Sequence, residues 1–235
     1  MTKTDPASPG PARTSGPAAL QPAFRSTRAI AVFVLIAAAG LAADLLSKHF
    51  AFASFLDDPA LAGRVRDVQS QYATTLTPRQ MLHLLELSRP VVDGVHFTLS
   101  TNPGVVFGLA MPRWAVAVAT VVTMLLVGFF FASSDRRAWA VHLAMALILA
   151  GALGNLYDRL FASVRIPGMA AIAYEVRDFI DCSRLTTFSS IRKESFYPWI
   201  FNVADVWLVI GVGLLVVHWI IEGRRHAQAA KKQAN

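Results

Sequence analysis

The sequence predicts an all-α polytopic membrane protein, with four transmembrane helices, a small extracytoplasmic β-rich region and an amphipathic loop helix. Three observations predict it. The composition is 54% hydrophobic and only 16% charged, with a mean hydropathy of +0.46, too apolar for an ordinary soluble domain. Four runs, at about 29–46, 114–132, 139–157 and 199–221, are each near the roughly 20 residues that a membrane helix requires. Trp114, Trp139, Trp199 and Trp219 stand at or near run ends, where indole rings favour the water–lipid boundary. Buried helices of a soluble protein would need amphipathic partners to cover them, and the rest of the chain supplies none.

Taken in order, residues 1–24 are rich in Pro, Ala, Ser and Thr and form a disordered cytoplasmic tail. The first apolar run follows Arg25 and Arg28, as a secretory signal would. It is longer than a signal core and ends in Asp44 and Lys48 rather than at a cleavage site, so it is a retained helix. Its small residues, AAAGLAAD at 37–44, allow close helix approach. The membrane domain extends over 25–222, with outward loops at about 49–112 and 159–198. The first loop holds an amphipathic helix at 77–89, then a β-like stretch at 91–102 whose alternation runs through VHFTL into the turn Asn102-Pro103-Gly104. The second holds EVRDFID at 175–181 and a polar insertion. Residues 223–235 are a basic tail. Four spans put both tails on one side. Arg136 and Arg137, in the tight turn between the second and third spans, share it and mark it as cytoplasmic.

Several function classes are excluded. The formal charge of +7 and pI near 10.1 come from scattered basic residues, not a stripe interleaved with aromatics, so no nucleic-acid partner is expected. Charge flanking the membrane accounts for it. The single cysteine, Cys182, rules out an intrachain disulfide. No HExxH, CxxC or phosphate-binding loop occurs, and His142 and His218 have no serine motif beside them, which makes them packing groups.

The chemistry is concentrated at the ends of the apolar runs. In FNVADVWLVIGVGLL, at 201–215, Asp205 lies a few residues inside a span, and Asn202, three residues earlier, shares its face. An intramembrane carboxylate is costly and faces a protein interior or a wet cavity, which makes it a functional candidate by default. GALGNLYDRL, at 151–160, ends with Asn155, Asp158 and Arg159, and Asp44 and Lys48 stand four apart on one helix face. The topology gathers all of these at the outer membrane face, next to loops that carry Asn102 and Asp178. Two aspartates a few ångströms apart share a proton. The ionised one then accepts a proton from an attacking water, while the protonated one polarises a carbonyl. Spacing alone leaves open which two of Asp158, Asp178, Asp181 and Asp205 form the pair. A carboxylate-based transporter would instead place acids at the midplane of repeated broken helices, and no repeat is visible. A silent relative would keep these residues without the reaction.

Five blocks, DLLSK (44–48), TNPGVVFGLA (101–110), GALGNLYDRL (151–160), VRDFID (176–181) and FNVAD (201–205), occur in an order that resembles the bacterial lipoprotein signal peptidases, or signal peptidase II, an intramembrane aspartyl protease family. The resemblance implies that Asp178 and Asp205 are the catalytic dyad, with Asp181 as the alternative partner. It implies that Asn102, Asn155, Arg159 and Asn202 bind substrate or orient the dyad, and that Asp44, Lys48, Gly104 and Asp158 support the site. The implied substrate is a prolipoprotein whose lipobox cysteine carries diacylglycerol. It is cut before that cysteine at the outer face of the cytoplasmic membrane, by a monomer in contact with membrane lipid, with no metal or cofactor. Arg177 stands where the family has an apolar residue, and its charge is expected to lower the pKa of the adjacent Asp178.

Overall fold

The computed structural model describes residues 21–72, 75–106, 109–110, 112–184 and 199–234. Most of the expected N-terminal tail and of the polar insertion lies outside the described residues. Among the described residues, four helices are long and apolar enough to cross a membrane: α1 (Thr27–Leu56), α4 (Arg113–Ser133), α5 (Trp139–Phe161) and α6 (Val203–Ala234). Between α1 and α4 lie α2 (Leu61–Gln71), α3 (Pro78–Leu84), β1 (Ser88–Val92), β2 (Val95–Asn102) and the short pair β3 (Val105–Val106) and β4 (Leu109–Ala110). Between α5 and α6 lie β5 (Ser163–Val164), β6 (Ile172–Ala173), β7 (Val176–Asp181) and β8 (Ile200–Phe201). The all-α expectation therefore needs correcting. The two long inter-helix segments both contribute to one antiparallel sheet of order β1-β2-β7-β8, which stands against the end of the helix bundle.

The helices pack through small residues. α5 lies between α1, α4 and α6, and Gly151 and Gly154 set its distance from its neighbours. A Cβ on Gly151 would strike the carbonyl of Ala204, and one on Gly154 would strike the carboxylate of Asp44. GALG is thus a contact surface, where hydrogen at Cα lets a polar group and a helix backbone approach. α4 is the outermost helix. Val127 and Phe131 are buried, with Phe131 stacked on Phe33 at a centroid distance of 4.0 Å, while Trp114, Leu125 and Phe129 are left for lipid. Where α1 begins, Ala23 N donates to Ser134 O at 2.8 Å and Arg136 N to Gln21 O at 2.8 Å. These bonds tie the root of the N-terminal segment to the α4–α5 turn, at the end of the bundle opposite the sheet.

The extramembrane region differs from expectation in three places. α1 continues ten residues beyond the predicted end at 46, to Leu56. Lys48 does not leave for water, and Ala51, Phe52 and Phe55 keep one face of the helix buried beneath the sheet. α2 was not predicted; it buries only Leu61 and Val65, too sparse a periodicity to stand out from sequence. The amphipathic helix predicted over 77–89 is confined to Pro78–Leu84. Thr77 and Gln80 close a capping box at its start, Glu86 adopts a φ of 44° just after its end, and the chain enters β1. Met81, Leu82, Leu85, Leu99, Phe97 and Phe179 form a core between α3 and the sheet, and Phe97 meets Phe179 edge-on at 5.4 Å.

Candidate active site

β7 is buried at Val176, Asp178, Phe179 and Asp181, and its alternation assigns two tasks. Val176 and Asp178 face a cavity of about 520 Å³. Arg177 and Phe179 face the other way, Phe179 into the core and Arg177 onto α5. Across the cavity, α6 begins at Val203, so Asn202 occupies the N-cap position. Asn202 Oδ1 accepts from Asp205 N at 3.2 Å, and Asp205 Oδ2 accepts from Asn202 N at 3.2 Å. This is a reciprocal capping box with Asp as its acidic member, and it fixes the Asp205 carboxylate at the positive end of the helix.

Asn202 also joins the two acids. Its Nδ2 donates to Asp178 Oδ1 at 2.6 Å, while its own Oδ1 and N hold Asp205. Asn155 Nδ2 donates to the remaining oxygen, Asp205 Oδ1, at 2.9 Å. Asn102, Asn155, Arg159, Asp178 and Asp205 all line the cavity. Asn102 Oδ1 accepts from Gly104 N at 2.9 Å, a turn that the left-handed φ of 118° at Gly104 permits. Burial pushes the Asp178 carboxyl up from 3.8 to about 8, and the charge of Asp205 adds to the rise against the opposing hydrogen bond from Asn202. A carboxyl so placed keeps its proton near neutrality.

Behind this pair lies a second set of charges. Lys48 and Asp44, 2.8 Å apart, are completely buried, and Lys48 Nζ is also 3.2 Å from the equally buried Asp158. Lys48 further donates to Asn155 Oδ1 at 3.0 Å, and Asp44 Oδ1 accepts from Ala204 N at 2.8 Å. Asp158 also takes three bonds from Arg177: from N at 2.9 Å, Nε at 3.1 Å and Nη2 at 2.7 Å. The net lowering expected for Asp178, and the direct route to it from Arg177, are therefore corrected. Neighbours in sequence lie on opposite faces of a strand, Arg177 is taken up by Asp158, and the Asp178 pKa rises rather than falls.

Asp181 is placed elsewhere. It accepts from Thr98 Oγ1 at 3.0 Å and Ser183 N at 2.9 Å, beside a separate cleft lined by His96, Thr98 and Arg184. Burial acts to raise its pKa, but the bonds from Ser183 and Thr98 outweigh it and hold the carboxyl below 3.8. Sequence reasoning missed the link from Arg177 to Asp158; the strand alternation of VRDFID was the signal for it. It also missed the serine beside His142, whose Nε2 lies 2.9 Å from Ser134 Oγ at the other end of the bundle, packed against Phe131 and Trp139.

The fold and cavity define a polytopic membrane protein with a pair of carboxyl groups facing one cleft where the bundle meets its sheet. The chain belongs to the signal peptidase II family: the family model, Signal peptidase (SPase) II, matches residues 36–221. It is accordingly a peptidase of the membrane. It is 34% identical over 140 residues to a lipoprotein signal peptidase of Desulfitobacterium hafniense, covering 59% of this chain and 78% of that protein. A lipoprotein signal peptidase of Fusobacterium nucleatum is 33% identical over 139 residues, covering 58% and 71%. Among solved structures, a bacterial membrane enzyme determined by the in meso method at 2.3 Å resolution shares the fold, with a TM-score of 0.54, 23% identity, and coverage of 83% of this chain and 90% of that one.

Proposed function

We propose that this protein is an aspartyl endopeptidase that removes signal peptides from diacylglyceryl-modified prolipoproteins, cutting before the lipidated cysteine, with Asp178 and Asp205 as its dyad. The observation that carries this reading is the bridge of Asn202 to both carboxyl groups at the wall of one cavity. The names of the relatives supply the substrate class.

In this mechanism Asp205, oriented by Asn155 and its capping box, accepts a proton from water as the water oxygen bonds to the scissile carbonyl carbon. Asp178 donates its proton to the carbonyl oxygen, giving a neutral gem-diol. Collapse of the diol returns a proton to the dyad and breaks the C–N bond as the leaving nitrogen is protonated. The products are a signal peptide ending in a carboxyl group and a lipoprotein beginning with a lipidated cysteine. The dyad titrates as a unit, and Asp178 holds the shared proton because it is the more deeply buried member. Asn102 and Arg159, on the same wall, bind the substrate backbone. The rest of the cavity is walled by α4 and α6, with Val116, Ala119, Leu208 and Val209, which suits an apolar, membrane-anchored segment. The chemistry calls for no metal or organic cofactor, and a monomer suffices because one chain supplies both acids. Both termini lie on the cytoplasmic side and the cavity near the outer face, a reading supported by the arginines at the α4–α5 turn.

The test is a gel-shift cleavage assay on a diacylglyceryl-modified prolipoprotein, with wild type beside Asp178→Asn and Asp205→Asn. Cleavage by wild type and by neither variant is expected. Retained cleavage by Asp178→Asn would remove that residue from the dyad, and no cleavage by folded wild type across several substrates would sink the peptidase reading for this chain.

A further inference from the structure

Given the dyad proposed above, we infer that Arg177 is a positioning residue for the reaction: its fork onto Asp158 balances the buried charges behind the dyad and fixes the strand that carries Asp178.

Asp158 is wholly buried and receives two cations from different elements, Lys48 of α1 at 3.2 Å and Arg177 of β7 at 2.7 Å. Asp44 is the second acid on Lys48. The four groups carry two positive and two negative charges, so the cluster is neutral only with Arg177 present. A buried carboxylate deprived of its cation is among the costlier defects available to a protein. The mechanical link is equally direct. Three bonds run from Arg177 to one carboxylate of α5, and the next residue along the strand is Asp178. Nε and Nη2 of the planar guanidinium converge on Oδ1 while the backbone N takes Oδ2, so the three bonds together restrain both the distance and the tilt of β7 against α5. On the far side of the same strand, Asn202 Nδ2 takes Asp178 Oδ1 at 2.6 Å. β7 is thus held from one face by Asp158 and from the other by Asn202, and a shift on the first face displaces the second. Displacement of a reacting group by about 1 Å is enough to cost two orders of magnitude in rate.

The charge balance reaches Asp178 as well. The charged groups whose fields act on it are Asp205 of α6, Lys48 of α1 and Asp158 and Arg159 of α5, while the adjacent strand β2 sets Ser100 opposite it. Asp158 acts to raise the proton affinity of Asp178. Without Arg177, the one cation left in direct contact with Asp158 among the described residues is a lysine that it shares with Asp44, with Arg159 acting only at longer range, and its field at Asp178 strengthens.

The experiment is the pH profile of prolipoprotein cleavage by the full-length protein, comparing wild type, Arg177→Met and Arg177→Lys, with Asp178→Asn and Asp205→Asn as controls. Arg177→Met is expected to lower kcat about tenfold or more and to move the alkaline limb to higher pH. A smaller folded fraction would lower the rate without moving that limb. Arg177→Lys keeps the charge but not the fork, so it should return the limb to its place and recover only part of the rate. A limb for Arg177→Met that superposes on wild type overturns the inference. If Arg177→Met does not accumulate, Arg177→Lys decides alone, and an undiminished kcat in that variant overturns the inference. Cleavage by either control would instead refute the dyad.

Discussion

Two groups of buried charge lie side by side in this protein and are built on opposite principles. The cluster of Asp44, Lys48, Asp158 and Arg177 is balanced, with every carboxylate facing a cation at 3.2 Å or less. Asp178 and Asp205 have amides, from Asn202 and Asn155, where the other cluster has ammonium and guanidinium groups. An amide orients a carboxyl group without neutralising it. In the first cluster each carboxylate is met by a cation in direct contact, whereas Asp178, hydrogen-bonded to an amide, holds its proton near neutrality. Acids of the same type, on four different elements that meet at one end of the bundle, are thus separated into scaffold and candidate chemistry by the charge state of their hydrogen-bond partners.

The contrast can be broken most severely at the unbalanced pair. Asp205→Asn is expected to reduce cleavage by about a thousandfold or more while leaving helical content and thermal unfolding near wild type, because the capping bonds of residue 205 can largely be kept by an amide. Circular dichroism beside the gel-shift assay checks both halves. The converse belongs to Lys48→Met, which leaves the buried Asp44 without its cation and Asp158 with Arg177 alone. It should cost on the order of 3–5 kcal/mol, read as lost accumulation or a sharply lowered Tm in detergent.

Asp178 sharpens the contrast through pH. Its folded pKa, about 8, lies above the ordinary 3.8, so folding tightens its hold on the proton. The corresponding stability is fully present below the unfolded value and is lost as pH rises through about 8. Cleavage should fall over the same upper limb as the acid loses its proton. Asp178→Asn, neutral at every pH, should abolish that limb of the stability curve and raise Tm at pH 7 by about 2–4 °C for each kcal/mol relieved, even as it abolishes activity. A Tm lower than wild type would make Asp178 a structural acid. The smallest expected effect is steric. Gly154→Ala drives a methyl group against the Asp44 carboxylate and should cost about 1–3 kcal/mol in thermal unfolding, with the cleavage profile keeping its shape.

The membrane architecture was legible in the sequence because apolar length is read directly, and the four observed helices fall on the four predicted runs. Asn202 and Asp205 were legible because they lie one turn apart on one helix, so local geometry brings them together. The sheet was half legible: VHFTL alternates visibly, but VRDFID becomes a strand only by pairing with β2, a contact far away in the chain. The role of Arg177 was misread for a related reason. Proximity in sequence suggested a charge acting on Asp178, while the two-residue period of the strand sends the guanidinium to the opposite face. The length of α1 was underestimated because Lys48 marked the membrane boundary for a solvated lysine, and here the lysine is buried by acids from two helices.

The short strand β8 has a consequence for how such a chain can change over time. β7 ends at Asp181, and Ile200 and Phe201 return to pair with Asp181 and Ile180 immediately before Asn202. The distance between the two candidate acids is therefore set by a hydrogen-bonded clasp and not by the length of chain that separates them. A change in chain length between the two strands is therefore expected to leave that distance in place, provided the returning strand still finds its register on β7.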